Sequence, residues 1–296
     1  MTNRARCDKM VKEVKMIIGL IIILIGCAIG VAVVIRGFWE NQNPVLTEYK
    51  IEKTGLPSNF KGLKIAHISD YHNTEIGKDN QKLLALLKSA KPDIIVITGD
   101  IIDSRKTRED VALQFAKQLT EIAPCYYSNG NHESRYKNYD SLAIKLKDIG
   151  VAVLHNERVG VSRGGQKIFI AGLTSPRFYT AKKEIESARA YVRKTLEKLK
   201  GETDEFTVVL SHHPEYAKEY EKSGVDMIFS GHAHGGQFIL PLIGGLYAPE
   251  QGILPKYTQG VRDYGKTHFV ISRGIGNSSF PFRFLNRPEI VLVQLT

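Results

Sequence analysis

Seven side chains able to hold divalent cations are spread along this 296-residue sequence, each inside a short polar signal that follows an apolar run. Asp70 and His72 stand in Asp70-Tyr71-His72 after Leu63 to Ile68, and Asp100 opens Asp100-Ile101-Ile102-Asp103 after Ile94 to Ile97. Asn131 lies in Gly130-Asn131-His132-Glu133 after Cys125 to Tyr127, and His212 in Ser211-His212-His213-Pro214 after Val208 to Leu210. His232 and His234 fall in Gly231-His232-Ala233-His234-Gly235-Gly236 after Met227 to Phe229. Carboxylate, imidazole and amide oxygen together suit a hard or borderline cation such as Mn, Fe or Zn. A bridging carboxylate can hold two such ions about 3.5–4 Å apart, where they share a hydroxide and clamp a phosphoryl oxygen. Neutral imidazoles complete the set without crowding the site with negative charge. Any one of these short signals could be a cap or a turn. Five in one order, each after a strand-like run, point to a centre for two metals.

The elements that position these side chains follow from the same runs. Short apolar stretches bounded by glycine, proline or polar residues read as buried strands. Their carboxyl ends are where open α/β sheets place their sites. Val45 to Lys53, Val151 to Leu154, Lys167 to Ala171, His268 to Ser272 and Ile290 to Leu295 add further strands. Gln81 to Ser89, Asp110 to Ile122, Tyr139 to Ile149 and Lys182 to Lys200 have helical spacing. Strands first alternate with helices and the chain then closes in strands, an α/β arrangement without internal repeats.

The ordered set D-x-H, G-D-x-x-D, G-N-H-E, H-x-P and G-H-x-H resembles the calcineurin-like metallophosphoesterase superfamily over about Lys61 to Thr296. Gly231 to Phe238, Ser272 to Gly276 and Arg287-Pro288-Glu289 resemble its bacterial YkuE-type, membrane-associated branch. The resemblance implies a four-layer α/β/β/α sandwich and a phosphohydrolase with two divalent metal ions. It implies that Asp70, His72, Asp100 and His234 hold one metal, with Asp100 bridging, and that Asn131, His212 and His232 complete the second. It places His132 over the phosphate, to stabilise the transition state or protonate the leaving oxygen, and Asp103 behind it as an orienting group.

Ahead of this region, residues 1–15 are polar and basic, carrying Arg4, Arg6, Lys9, Lys12 and Lys15. Met16 to Ile35 then runs for twenty residues without a charge, the span of a bilayer core. Residues 16–36 are expected to form an uncleaved signal anchor. The basic excess before it puts the N-terminus in the cytoplasm and the catalytic part outside, in a single-pass arrangement at the cell membrane. Leu24-Ile25-Gly26-Cys27 also resembles a lipobox, but the apolar tract continues past Cys27, which favours an uncleaved anchor. Residues 37–60 read as a linker, broken by Asn41, Asn43 and Pro44, followed by the first strand; residues 61–296 read as the catalytic domain.

Gln237 to Tyr264 is long and apolar and leaves directly from the G-H-x-H ligands, so it should wall the site. Gln237, Phe238 and the neighbouring His213 are accordingly candidate substrate contacts, and a lipid-linked or amphipathic phosphoester is the expected partner beside the bilayer. His67, His155 and His268 read as structural. Three cysteines in such separate settings exclude a disulfide framework, and Cys125 reads as a small buried hydrophobe. The net charge of +10 attracts anions. No basic stripe interleaved with aromatics marks a single-strand groove, so a nuclease is the weaker enzyme reading. A metal-holding scaffold without catalysis would be favoured by a missing ligand, and none is missing.

Overall fold

The computed structural model describes residues 3–181, 184–201, 204–277 and 280–296, excepting the side chains of residues 3–9 and 11. After the N-terminal helix α1 (Asn3–Asn41), two six-stranded sheets form the body. The first contains β1 (Val45–Ile51), β2 (Lys64–Ile68), β3 (Ile94–Thr98), β4 (Cys125–Ser128) and β5 (Val151–Val153). The second begins with β6 (Glu157–Arg163), β7 (Gln166–Leu173), β8 (Thr207–Ser211) and β9 (Met227–Ser230). Two small hairpins follow, β10 (Ile239–Leu240) with β11 (Gly244–Gly245) and β12 (Tyr247–Ala248) with β13 (Gly252–Ile253). β14 (Gly260–Tyr264) and β15 (Thr267–Ile271) complete the second sheet, and β16 (Glu289–Leu295) returns to the first.

Strand order is β1-β16-β2-β3-β4-β5 in one sheet and β14-β15-β9-β8-β7-β6 in the other. β2, β3, β4 and β5 run parallel, as do β7, β8, β9 and β15. β16 is wedged between β1 and β2, antiparallel to β2, with Gln294 opposite Lys64 and Val291 opposite His67. Alternation along each strand divides the core. Ile65, Val96, Val208, Leu210, Val270 and Val291 face inward between the sheets. Ala66, Ile68, Ile95 and Ile97 face outward, covered by α2 (Gln81–Ala90), α3 (Glu109–Thr120) and α4 (Tyr139–Asp148). Ala171, Val209, Ile228 and Phe269 are covered by α5 (Ile185–Lys200) and α6 (Ala217–Lys222). Strands buried on both faces explain why the sequence shows unbroken apolar runs where an antiparallel meander would alternate. The result is the expected four-layer α/β/β/α sandwich.

Three local differences from the sequence reading have physical causes. α1 does not stop at the expected anchor boundary but continues through Gly37 to Asn41, because its last turns are packed on the domain. Gly37 lies so close to Phe282 that a Cβ there would sit 2.3 Å from the ring, so only glycine fits. β6 and β14 were not anticipated, being partly exposed edge strands without an apolar run. The helix expected from Lys182 is seen from Ile185, Lys182 and Lys183 lying outside the described residues.

Candidate metal centre

The site lies at the carboxyl ends of five parallel strands, three from the first sheet and two from the second. β2 leads to Asp70 and His72, β3 to Asp100, and β4 to Asn131 and His132. β8 leads to His212 and β9 to His232 and His234. Asp70, His72, Asp100, His232 and His234 all adopt positive φ, between 47° and 65°. Each such residue costs about 1–3 kcal/mol and persists only where surroundings impose it. Here the left-handed step turns the chain sharply at the strand end, and backbone amides help hold it. His132 N–H donates to Asp100 Oδ1 at 2.8 Å, and His232 N–H to Asp70 Oδ2 at 3.0 Å. Gly130 lets its loop pass over Asp100, since a Cβ would lie 2.2 Å from Asp100 Oδ1.

Two groups of side chains converge. His234 Nε2 lies 3.3 Å from Asp70 Oδ1 and 3.3 Å from His72 Nε2. His212 Nε2 lies 3.2 Å from both Asp100 Oδ2 and Asn131 Oδ1, with His232 beside it. Asp100 Oδ2 stands between the groups, 3.2 Å from His212 Nε2 and 3.7 Å from His72 Nε2. All seven residues are buried.

Hydrogen bonding from behind decides which atoms face inward. His212 Nδ1 lies 2.6 Å from Thr98 O and His234 Nδ1 3.2 Å from Gly276 O, so each Nδ1–H donates outward and each Nε2 turns to the carboxylates. Burial lowers His72 to about 4 and lowers His234 well below its ordinary value, keeping both neutral. For His212, burial pushes down but Asp100 and Asp70 outweigh it and raise it to about 10. A proton on Nε2 there occupies the place that a cation would take. Neutral imidazoles, two carboxylates and an amide oxygen aimed at common points are a donor set that fits divalent metal ions.

His132 is arranged differently. Ser104 N–H donates to its Nδ1 at 3.0 Å, so the imidazole carries a proton on Nε2, 4.0 Å from Asp100 Oδ2 at the cavity wall. Burial opposes its protonation, but Asp100 and Asp103 raise it. Asp103 Oδ1 lies 3.4 Å from His132 Nδ1, and the carboxylate pairs with Arg105 at 2.7 Å. The cavity of about 170 Å³ is walled by Asp100, Asn131, His132, His232 and His234 together with Arg105, Arg135, Tyr247, Pro249 and Glu250.

Sequence reasoning missed several contributors. Glu133 is buried and accepts the N–H groups of Asp100 at 2.8 Å and Gly130 at 2.7 Å, tying the β3 and β4 loops together. Burial and Asp100 both raise its pKa. Glu250 takes the Nε2–H of His232, which leaves His232 Nδ1 for the centre, and approaches Arg177 at 3.4 Å. Arg283, fully buried, bonds the carbonyls of Arg273 and Gly276 behind His234. Glu133 was visible within its motif, whereas Glu250 and Arg283 stand in loops without one. Three candidate substrate contacts lie off the cavity wall. His213 is buried between Ser175 Oγ, 2.8 Å away, and Glu215 Oε1, 2.9 Å away. Gln237 donates its amide to Phe282 O, and Phe238 packs on Phe280 and Phe282. His67 is packed against Phe229 and bonded to Thr98, His155 contacts Tyr139, and His268 pairs with Asp263.

Comparison with known proteins gives this geometry a family. The model of the calcineurin-like phosphoesterases matches residues 63–236, which carry every ligand described above. The chain belongs to that family. It is 32% identical over 263 residues to the Bacillus subtilis metallophosphoesterase YkuE, spanning 84% of each chain. It is 26% identical over 248 residues to the Escherichia coli phosphodiesterase YaeI, spanning 80% of this chain and 83% of that one. A zebrafish (Danio rerio) transmembrane protein with a metallophosphoesterase domain is 26% identical over 86% of this chain and 58% of its own length. This calcineurin-like phosphoesterase is therefore an enzyme that hydrolyses phosphoesters, with buried histidine and aspartate groups able to hold metal.

Proposed function

We propose that this phosphoesterase hydrolyses a phosphoester or pyrophosphate bond at a two-metal centre, on a lipid-linked or amphipathic substrate, while anchored in the cell membrane by α1. The observation that carries the reading is the convergence of two donor groups on either side of Asp100 at the floor of a cavity flanked by Arg105 and Arg135. Asp70, His72 and His234 would hold one cation and Asn131, His212 and His232 the other, with Asp100 shared. Two cations there, drawn from Mn, Fe or Zn, supply Lewis-acid activation of water and of the phosphoryl oxygen.

The chain's own residues account for the rest. Arg135 and Arg105, the latter paired with Asp103 at 2.7 Å, line the cavity that an incoming phosphate enters. Asn131 contributes a neutral oxygen, which limits the negative charge that an anionic substrate meets. His132, with Nδ1 occupied by the Ser104 amide, directs Nε2–H into the cavity, where it can bond a phosphoryl oxygen or hand a proton to the leaving oxygen. Burial disfavours the charged imidazole, but Asp100, 4.0 Å from its Nε2, favours the proton there.

One helix among the described residues is long and apolar enough to cross a membrane, Lys12–Asn41, and its apolar window is not buried against the domain. The basic residues before it support a cytoplasmic N-terminus and an outward catalytic domain. The test uses the full chain in detergent, stripped of metal and titrated with Mn, Zn or Fe. Hydrolysis of bis-p-nitrophenyl phosphate, p-nitrophenyl phosphate and a lipid-linked pyrophosphate is followed throughout. Turnover restored by metal, abolished in Asp100→Ala and greatest on the lipid-linked compound is the expected result. Stoichiometric metal binding with no turnover on any of the three would sink the catalytic reading.

A further inference from the structure

The end of α1 is locked to the catalytic domain. Glu40 is buried, accepts the Asn286 N–H at 2.9 Å and pairs with Arg36 at 2.8 Å. Asn41 donates to Pro281 O at 2.8 Å and accepts from Arg283 N–H at 3.2 Å. Phe38 packs on Phe282 with ring centroids 5.7 Å apart. These contacts leave the helix no free hinge at its exit, so its direction fixes which face of the domain lies beside it.

That face is apolar and continuous with the helix. Phe282 meets Phe238, and Ile239 N–H donates to Phe284 O at 3.0 Å, so the β10–β11 hairpin grows directly from the docking site. At its tip Leu242 is wholly exposed and Ile243 is 61% exposed. The β12–β13 hairpin adds Ile253 at 76% and Leu254 at 57%. Single exposed hydrophobes are ordinary, but a cluster on two adjacent hairpins marks an interaction surface. The same segment wears a second face. Tyr247 and the β12–β13 turn residues Pro249 and Glu250, between Leu242 and Ile253 in the chain, wall the catalytic cavity. At the helix exit Arg36 and Arg287 lie over the Trp39 ring at 4.6 and 5.5 Å, the cation and aromatic pairing found at headgroup depth.

We propose that the β10–β11 tip and the open end of the β12–β13 hairpin, at Ile253 and Leu254, form a bilayer-inserting surface. It dips into the leaflet from which α1 emerges and holds the cavity mouth at the level of the lipid phosphates. The proposal rests on the reading of α1 as a membrane anchor. A surface continuous with a spanning helix is covered by the bilayer that surrounds that helix. An inserted apolar face reaches roughly 5–10 Å below the headgroups, which suits single-residue tips such as Leu242.

Trp39 is the chain's single tryptophan, which makes depth measurable. The full-length protein is reconstituted in vesicles of phosphatidylcholine brominated near the top of its acyl chains, a quencher of indole fluorescence. Three reporters are compared with the parent, each in a Trp39→Phe background: Leu242→Trp, Leu254→Trp, and Ile144→Trp on the exposed face of α4. Brominated lipid is expected to lower emission of the two hairpin reporters at least about twofold, with Ile144→Trp unaffected. Hairpin reporters that behave like Ile144→Trp, while Trp39 in the parent is quenched, would overturn the proposal and leave the anchor standing. An unquenched Trp39 would remove the anchor and the proposal together.

Discussion

Replacing Glu250 by glutamine should weaken one metal position and spare the other. The carboxylate of Glu250 takes the Nε2–H of His232 and lies 3.4 Å from Arg177, so it fixes the imidazole's tautomer and leaves Nδ1 as the nitrogen that would meet a metal. Glutamine keeps the shape and a carbonyl acceptor but loses the charge. Loss of such a partner typically costs a factor of about 10–100 in metal affinity, or about 1.4–2.7 kcal/mol at 1.36 kcal/mol per decade. His232 belongs with Asp100 and His212, whereas Asp70, His72 and His234 form a separate group. Calorimetric titration of the metal-free protein with Zn or Mn should therefore show two binding steps, of which only one shifts by that factor in Glu250→Gln. Two unchanged steps would refute the orienting role. Two steps weakened equally would show that Glu250 supports the loop and not one ligand.

The remaining predictions concern catalysis, assembly and acid stability. His132→Ala should retain both metals but lose at least about a hundredfold in kcat, since the residue lies beside the centre without belonging to either ligand group; metal content and turnover on one preparation check this. Removing the metals should lower the melting temperature in detergent. Candidate ligands from both sheets converge on one place, and a site held at a hundred times its Kd contributes about 2.7 kcal/mol; an unchanged melting temperature would deny the cross-sheet role. His67 is buried and held neutral, its pKa lowered by burial to about 3 from an ordinary 6.5. The unfolded chain therefore binds the extra proton between those values, and the stability gained from burying the neutral ring is lost as pH falls from 6.5 toward 3. Linkage gives about 2 kcal/mol of that loss between pH 7 and pH 5. In His67→Phe the stability measured by urea titration should fall less steeply over that window by this amount; identical slopes would refute it.

Much of the candidate centre was legible because each candidate ligand closely follows its strand. In a parallel sheet the chain must turn at the strand end, and the polar residue placed there announces both the strand and the site. The convergence of Asp100 and His212 from different sheets could not be read from spacing, since it depends on how the two sheets face each other. Glu250 was hidden for a related reason: eighteen positions after His232 in the chain, it reaches that ring only because two small hairpins fold back over the site. β6 and β14 escaped because edge strands need apolar residues on one face only. The continuation of α1 through Gly37 was masked by a residue that usually breaks helices, here retained because Phe282 leaves no room for a side chain.

The placement of β16 has a consequence for the order in which this protein can be made. β1, β2, β3, β4 and β5 leave the ribosome first and carry Asp70, His72, Asp100 and Asn131, yet β1 has no partner among them. Its neighbour is β16, which also borders β2 and follows the other strands of both sheets in the chain. Until it is made the first sheet has a gap where Val291 and Val293 should close the inner core. Such distant pairing raises contact order and slows folding. A nascent chain would therefore carry half of the candidate metal ligands beside an open sheet edge until β16 is made, a window in which a chaperone could engage it.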